Sequence, residues 1–177
     1  TASHNPPPYN GLKLFSAAGR VIPETPGRQV LEAYRRGEAP WAPHDHLGRK
    51  LICEDLVGPH LEAVLATVDI ARIRQRRFRV LLDSNRGSGS LLGWMLLDEL
   101  GCEVTLVGGT ADGQFEHVPE PTAENLAGVL AQVPRAAADV GFCQDPDADR
   151  LAVIDADGRY LGEEYTLAMC VDHVLRR

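Results

Sequence analysis

The sequence predicts a strand, then a helix, then a second strand between residues 78 and 107. Residues 78–83 and 103–107 are rich in apolar and β-branched side chains, which favour strands. Residues 87–90 form a Gly-Ser turn that leads into a helical stretch, and Gly101 is placed to end that helix as a C-cap. Two strands joined through a helix pair in parallel with a right-handed crossover. This region therefore predicts an α/β fold with a mixed, largely parallel sheet sandwiched by helices.

A third strand is predicted over residues 139–143, and a cluster of carboxylates follows it directly. The aspartates occupy alternate positions, at Asp145, Asp147 and Asp149. In open α/β sheets, ligands bind at the carboxyl ends of the strands. Three carboxylates this close repel one another unless a cation lies among them, and oxygen-only ligands are typical of Mg²⁺. The cluster predicts a magnesium site.

The remaining elements are assigned from periodicity and turn residues. A short strand over 12–15 could pair with residues 21–22, and a helix over 27–36 should end at Gly37. Helices are also predicted over 56–68, over 123–133 with Thr122 as its cap, and over 163–175. A hairpin joins 151–154 to 160–161, while the proline-containing stretch 38–50 is the best candidate for a linker.

The opening segment contains a candidate nucleophile. Ser3 is followed by His4 and by the turn-forming pair Asn5-Pro6. An exposed serine beside a histidine can accept a phosphoryl group, although a serine in such a segment is by itself more often an N-cap or turn residue. Together with the aspartate cluster, the segment predicts phosphoryl transfer.

Three motifs in this chain resemble the α-D-phosphohexomutase superfamily, which includes phosphomannomutase, phosphoglucomutase and phosphoglucosamine mutase. Residues 1–13 match T-A-S-H-N-P-x-x-Y-N-G-x-K, residues 119–126 match P-E-P-x-x-E-N-L, and residues 145–150 match D-[GP]-D-[AG]-D-R. Proteins of this family are several hundred residues long and have four domains. The resemblance implies that residues 1–50 are the C-terminal part of domain 1 with its phosphoserine loop. Residues 51–158 would then be domain 2 with the metal-binding loop, and residues 159–177 the start of domain 3.

The resemblance also implies a reaction. A hexose 1-phosphate and a hexose 6-phosphate are interconverted through a phosphoserine and a bisphosphate intermediate. Ser3 would carry the phosphoryl group, one oxygen of which completes the coordination of Mg²⁺ by Asp145, Asp147 and Asp149. The resemblance also implies dependence on a glucose 1,6-bisphosphate-type activator.

Further roles follow from the same resemblance. His4, Asn5 and Lys13 would flank the reacting centre, with Lys13 favoured over His4 as the base that takes the proton of the attacking sugar hydroxyl. Lys13 would need its pKa lowered by neighbouring positive charge or by burial. Arg150 would contact the serine-bound phosphate.

Other interpretations of the aspartate cluster are weaker. An EF-hand loop starting at Asp145 would need Gly at its sixth position and Glu at its twelfth, where this chain has Arg150 and Ala156. A phosphatase of the haloacid dehalogenase type would need further motifs downstream, and only the 27 residues 151–177 remain. Within the family, phosphoglucosamine mutase is the nearest rival. Its bacterial metal loop more often reads D-G-D-G-D-R, whereas this chain has Ala148, which slightly favours the phosphomannomutase/phosphoglucomutase type. A non-catalytic piece that binds Mg²⁺ or a sugar phosphate is the alternative from a different functional class.

Three other segments that could be binding sites are more simply interpreted as structural features. Residues 87–89 could cradle a phosphate, but Leu92 breaks the fuller G-x-G-x-x-G pattern, so a βα turn is favoured. His44 and His46 could bind a metal, although a solvated loop is the simpler interpretation. The arginine-rich run 72–79 is expected to be a solvated face or an interdomain contact.

Composition limits the kinds of partner that can be expected and indicates a cellular compartment. A net charge of −7 argues against a general nucleic-acid surface. The anionic phosphosugar that the resemblance implies as the partner would therefore have to be held by local cationic groups and not by the overall field. Four widely spaced cysteines include no C-x-x-C pair, which disfavours structural zinc and suits a reducing, cytoplasmic environment. No apolar run is long enough to cross a membrane, and a monomer or homodimer is expected.

Overall fold

The computed structural model describes residues 11–38 and 41–176, which divide into two compact units. Residues 11–54 belong to the smaller unit, apart from its undescribed positions. It contains helix α1 (Glu24–Arg36) and a short 3₁₀ helix (His44–His46). Helix α1 ends, as predicted, at Gly37, whose φ of 67° allows its N–H to close the last turn. The predicted strand over 12–15 is reduced to one antiparallel bridge between Phe15 and Val21, because a lone hairpin has little to stabilise it.

Helix α1 begins at Glu24, earlier than the predicted residue 27. Pro26 falls in its first turn, where a missing N–H costs nothing. Glu24 places a negative charge near the helix N-terminus, which the helix dipole favours. The two prolines before residue 27 thus mark the entry of this helix and not a segment that precedes it.

The larger unit, residues 55–176, contains one five-stranded sheet and the remaining helices. Its elements in chain order are α2 (Gly58–Leu65), α3 (Ile70–Arg76), β1 (Arg79–Asp83), α4 (Ser90–Glu99), β2 (Glu103–Val107), α5 (Ala127–Leu130), α6 (Gln132–Arg135), β3 (Val140–Gln144), β4 (Leu151–Asp155), β5 (Tyr160–Gly162) and α7 (Glu163–Leu175). The strand order is β2-β1-β3-β4-β5. Strand β1 pairs in parallel with β2 and β3, whereas β4 pairs antiparallel with β3 and β5. The predicted mixed α/β sheet is confirmed.

Helices cover both faces of this sheet. Leu81, Gly141 and Ile154 are neighbours across β1, β3 and β4, and the face they share packs on α5 and α6. A Cβ at Gly141 would lie 2.6 Å from Cγ2 of Val133, so the missing side chain lets α6 approach the sheet. The opposite face, which includes Phe142, lies against α3 and α4. This arrangement confirms the predicted sheet sandwiched by helices.

One predicted helix of this unit was wrong, and another helix was not predicted. The stretch 123–133 is not one helix, because it turns at 123–126 and then forms the short helices α5 and α6. Pro134 has no N–H to donate to the carbonyl of Leu130, so the helix breaks and Pro134 falls in the first turn of α6. Helix α3 was missed, because its charged sequence hides the helical signal. Its N-cap is Asp69, whose side chain accepts the N–H of Arg72 at 3.0 Å.

All four cysteines lie within the described ranges and are free thiols. Cys143 is buried in β3, and burial raises the pKa of its thiol. Burial likewise raises the pKa of the half-buried Cys102. Both thiols are therefore protonated and unreactive at neutral pH. Within residues 11–38 and 41–176, none of the helices combines the length and the apolar character that a bilayer crossing requires.

Candidate functional site

The aspartate cluster forms the tight connection between two antiparallel strands. Strand β3 ends at Gln144 and β4 begins at Leu151, and these two residues pair directly. The six residues between them are called here the aspartate loop (residues 145–150). The N–H of Ala148 donates to the carbonyl of Asp145 at 2.9 Å, and Ala148 has a left-handed φ of 59°. The loop therefore folds back on itself and brings its alternating carboxylates to one place.

The three carboxylates converge at the predicted site. One oxygen from each of Asp145, Asp147 and Asp149 lies within 4.8 Å of the others. Asp145 is the most buried, with 1% of its surface exposed, whereas Asp149 is exposed. Oδ1 of Asp145 accepts the N–H of Arg150 at 3.1 Å, and Oδ1 of Asp147 is shielded from solvent. Oxygen donors alone, drawn close despite their like charge, fit a hard divalent cation such as Mg²⁺.

Arg150 lies beside a segment that is distant in the sequence. Its Nη1 is 3.6 Å from Oε1 of Glu120, and about a third of its side chain is exposed. The side-chain amide of Asn125 donates to the carbonyl of Glu120 at 2.8 Å, and the hydroxyl of Tyr160 donates to the carbonyl of Pro121 at 2.9 Å. The P-E-P-x-x-E-N-L segment thus supplies an acidic partner for Arg150. In the sequence, only the resemblance to the family motif pointed to this segment, and the contact of Glu120 with Arg150 could not be predicted.

The Gly-Ser turn after β1 serves as a support and not as a phosphate cradle. The N–H of Ser88 donates to the carbonyl of Pro146 at 2.7 Å, and the N–H of Ser90 donates to the carbonyl of Gly87 at 3.4 Å. The N–H of Ser88 is thus satisfied by the aspartate loop, and the N–H of Ser90 is satisfied within the turn itself. The hydrogen bonds support the interpretation of a structural βα turn.

A buried polar network at the end of β1 was missed by sequence reasoning. Nε2 of His117 lies 2.8 Å from Oδ2 of the fully buried Asp83, and Nδ1 lies 2.9 Å from the carbonyl of Val118. Asn85 donates to the carbonyl of His117 at 3.0 Å and accepts the N–H of Glu116 at 2.8 Å. Burial lowers the pKa of His117, but Asp83, the Val118 carbonyl and Glu116 outweigh that effect and raise it overall. Asp83 is the last residue of β1, and a polar side chain at the carboxyl end of a strand can indicate a functional site. No sequence pattern, however, connects Asp83 with His117.

The raised pKa of His117 makes the stability of the larger unit dependent on pH. A histidine with a raised folded pKa stabilises the fold fully below its unfolded pKa, about 6.5, and loses that contribution as pH rises through the folded value. We expect the urea midpoint to fall as pH rises from about 6 to about 8.5. His117→Gln, which removes a hydrogen bond to a buried carboxylate, should cost about 2 kcal/mol at the lower pH and flatten the profile. An equally steep profile in this variant would show that another group is responsible.

The other predicted residues do not add to the described site. Lys13 lies in the smaller unit, and Ser3, His4 and Asn5 lie outside the described residues. His44 and His46 lie in an exposed 3₁₀ helix.

The arginine-rich run forms helix α3 and the start of β1. Arg74 pairs with Glu99 at 3.1 Å, and Arg79 pairs with Asp139 at 3.4 Å. The arginine side chains in both pairs are about half exposed. These two residues therefore sit on a solvated face, as predicted, with structural ion pairs.

Comparison with known proteins supports the assignment to a family. The model described as "Phosphoglucomutase/phosphomannomutase, alpha/beta/alpha domain II" matches residues 58–158, and the domain I model of the same family matches residues 1–40. A "Phosphoglucomutase/phosphomannomutase" from Thermococcus kodakarensis is 41% identical over 99% of this chain and 39% of its own length. A "Probable phosphoglucosamine mutase" from Methanobrevibacter smithii is 33% identical over 89% of this chain and 35% of its own length.

A solved structure gives the same result. A phosphoglucomutase/phosphomannomutase family protein from Burkholderia thailandensis superposes with a TM-score of 0.81 at 27% identity, covering 100% of this chain and 37% of that protein. The chain thus spans about two-fifths of the length of the proteins it matches. The domain II model covers more than half of the chain, and its range includes the whole aspartate loop. This chain belongs to the phosphoglucomutase/phosphomannomutase family.

Proposed function

We propose that the protein carrying this chain is a Mg²⁺-dependent mutase that interconverts hexose 1-phosphates and hexose 6-phosphates. The observation that carries the proposal is the convergence of three carboxylates, within 4.8 Å of one another, in a loop inside the region matched by the family's domain II. Because the chain spans 39% of its Thermococcus relative, the activity is proposed for the whole protein and not for these 177 residues alone.

The aspartate loop would hold the metal. Asp145, Asp147 and Asp149 each offer one oxygen, and burial of Asp145 together with its hydrogen bond from Arg150 fixes the first of these in advance. Bound Mg²⁺ would neutralise the charge on the oxygens of the transferring phosphoryl group. Only small side-chain adjustments would bring the three oxygens to the distances that Mg²⁺ requires, because the carboxylates already lie within 4.8 Å of one another.

Ser3 would carry the phosphoryl group between the two positions of the sugar. In the first step, the free sugar hydroxyl attacks the phosphorus, its proton passes to Lys13 or His4, and the bond between phosphorus and Oγ of Ser3 breaks. The bisphosphate then turns around, and its other phosphate returns to Ser3 by the reverse of these steps. Asn5 would position the reacting groups. These roles rest on the match of residues 1–13 to the family motif.

Arg150 would bind the serine-bound phosphate. Arg150 is the last residue of the aspartate loop, and Oε1 of Glu120 lies 3.6 Å from its guanidinium, which orients the group without fully occupying its donors. A guanidinium presents several N–H groups in a plane, which suits two phosphate oxygens at once. Replacement by Lys would keep the charge and lose this geometry.

Two alternatives remain for the substrate and for the chain alone. Phosphoglucosamine mutase is the second candidate, because the Methanobrevibacter relative carries that name. The isolated 177-residue chain is proposed to bind Mg²⁺ with little or no turnover, since it spans about two-fifths of its relatives.

A coupled assay on the full-length protein tests the proposal. We expect conversion of mannose or glucose 1-phosphate to the 6-phosphate, dependent on glucose 1,6-bisphosphate and abolished by EDTA. Glucosamine 1-phosphate, tested in parallel, decides between the two candidates. Full activity after complete metal removal, or no turnover of any of these sugar phosphates with Mg²⁺ and activator present, would contradict the proposal.

A further inference from the structure

The turn at residues 87–89 faces the aspartate loop, and its two glycines lie opposite the two residues that separate the aspartates. A Cβ at Gly87 would lie 2.3 Å from the carbonyl oxygen and 2.5 Å from Cα of Pro146. A Cβ at Gly89 would lie 2.4 Å from Cβ of Ala148. All of these distances are shorter than carbon and oxygen atoms tolerate without a bond. The aspartate loop therefore occupies the space that side chains at 87 and 89 would need.

Backbone conformation does not explain these glycines. Gly89 has φ −72° and ψ −11°, which alanine adopts readily, and neither Gly87 nor Gly89 is among the residues with positive φ. In the right-handed helical region alanine is favoured over glycine, because glycine loses more conformational freedom on folding. Glycine at position 89 is thus explained by the approach of the loop alone, and at position 87 a positive φ is not the reason for glycine.

Ser88 holds the loop from between the two glycines. Its N–H donates to the carbonyl of Pro146 at 2.7 Å, and its hydroxyl donates to the same oxygen at 3.1 Å. Pro146 is buried, so these two bonds satisfy a carbonyl that has little access to water. The carbonyl lies in the backbone between Asp145 and Asp147, so these bonds restrain the path of the chain that carries the two carboxylates.

Ala148 also depends on this support. Its φ of 59° is uncommon for a residue with a Cβ and persists only where the surroundings hold it. Its Cβ points at Gly89, and the turn of the backbone at Ala148 is what brings Asp149 back toward Asp145.

We propose that Gly87, Ser88 and Gly89 are positioning residues for the metal site: they hold the spacer residues Pro146 and Ala148 so that the three carboxylates converge. The inference rests on the metal site of the proposed function. It predicts that the size of residue 89 and the size of residue 148 are coupled.

The test is the effect of Gly89→Ala in two backgrounds of the full-length protein. In the wild-type background we expect Mn²⁺ affinity, followed by the electron paramagnetic resonance of free Mn²⁺, to fall about ten- to a hundredfold, as when outer-shell supports of a metal are changed. In the Ala148→Gly background, the nearest atom to the new Cβ is Oε1 of Gln144 at 3.1 Å, the end of a flexible side chain. There we expect a loss of about threefold or less, since the clashing partner is gone.

A second readout does not need the metal. Amide hydrogen exchange of Ala148 and Arg150, whose N–H groups donate within the loop, should accelerate in metal-free Gly89→Ala and recover in the double variant. Gly128→Ala is the matched control, because a Cβ there meets nothing within 4 Å, and it should change neither readout.

Equal losses of affinity in both backgrounds, or no loss in either, would overturn the inference. If Gly89→Ala does not fold, folding of the double variant supports the coupling, and failure of both overturns it. If the wild type binds no Mn²⁺, the metal site of the proposed function fails, while the exchange rates still decide whether residue 89 positions the loop.

Discussion

Ser3→Ala should abolish the mutase activity of the full-length protein while leaving its metal site intact. Without the hydroxyl there is no acceptor for the phosphoryl group, so neither half of the double transfer can occur. We expect the rate in the coupled assay to fall about a thousandfold or more, the scale at which loss of a covalent nucleophile acts. Asp145, Asp147 and Asp149 are unchanged in this variant, so it should still bind Mn²⁺, with only the loss of affinity expected when the phosphoserine oxygen no longer completes the coordination.

Ser16→Ala is the matched control for this variant. Ser16 is exposed, and it lies at the bridge between Phe15 and Val21, outside the family motif that residues 1–13 match. Its hydroxyl has no proposed role, so the control should retain wild-type activity. Wild-type turnover by Ser3→Ala would refute the phosphoserine mechanism, and loss of activity in both serine variants would point to a general loss of structure.

The parts of the fold that are coded locally were predictable. Strand β2 and helix α7 have the predicted bounds, because a short apolar alternation ends at Val107 and an uninterrupted helical pattern ends at Leu175. The parallel pairing of β1 with β2 followed from the intervening helix, and the hairpin at residues 155–158 followed from its turn residues. In each case the signal lies within a window of a few residues.

The elements that failed depend on one residue that overrides its neighbours. Pro134 divides the predicted helix over 123–133, since one missing N–H breaks a pattern that is otherwise helical. Helix α3 is stabilised by its Asp69 cap and by the contact of Arg74 with Glu99, and that contact joins residues 25 positions apart. A search for periodic apolar residues in a short stretch of sequence detects neither the cap nor this contact.

The candidate site also has one part that the sequence predicts and another that it does not. The three carboxylates are close in sequence, so their convergence could be predicted from residues 145–150 alone. Their supports come from elsewhere: Glu120 beside Arg150, and Gly89 against Ala148. The contact of Gly89 with Ala148 arises because β1 and β3 are neighbours in the sheet although they are far apart in the chain, which brings the turn after β1 against the loop after β3.

Asp145→Asn should remove metal binding and preserve the fold of the loop. Asp145 is 1% exposed, and its Oδ1 accepts the N–H of Arg150, a bond that the carbonyl oxygen of an asparagine can also accept. The variant lacks the negative charge and replaces a ligand oxygen by an amide that cannot coordinate through its NH₂ group. We expect Mn²⁺ affinity to fall at least about a hundredfold, beyond the range seen for changes outside the ligand shell.

The thermal stability of the same variant separates metal binding from folding. A ligand that binds only the folded state stabilises it in proportion to ln(1 + [L]/Kd), so Mg²⁺ should raise the Tm of the wild type and not that of Asp145→Asn. In the absence of metal, the variant should melt at or above the wild-type Tm, because replacing one of three clustered carboxylates relieves repulsion. Asp157→Asn, in an exposed turn where it pairs weakly with Arg159, is the matched control and should keep the full Mg²⁺-dependent shift. An equal Mg²⁺-dependent shift of the Tm in Asp145→Asn and in the wild type would mean that the cation binds elsewhere. That result would refute the proposed role of the aspartate loop.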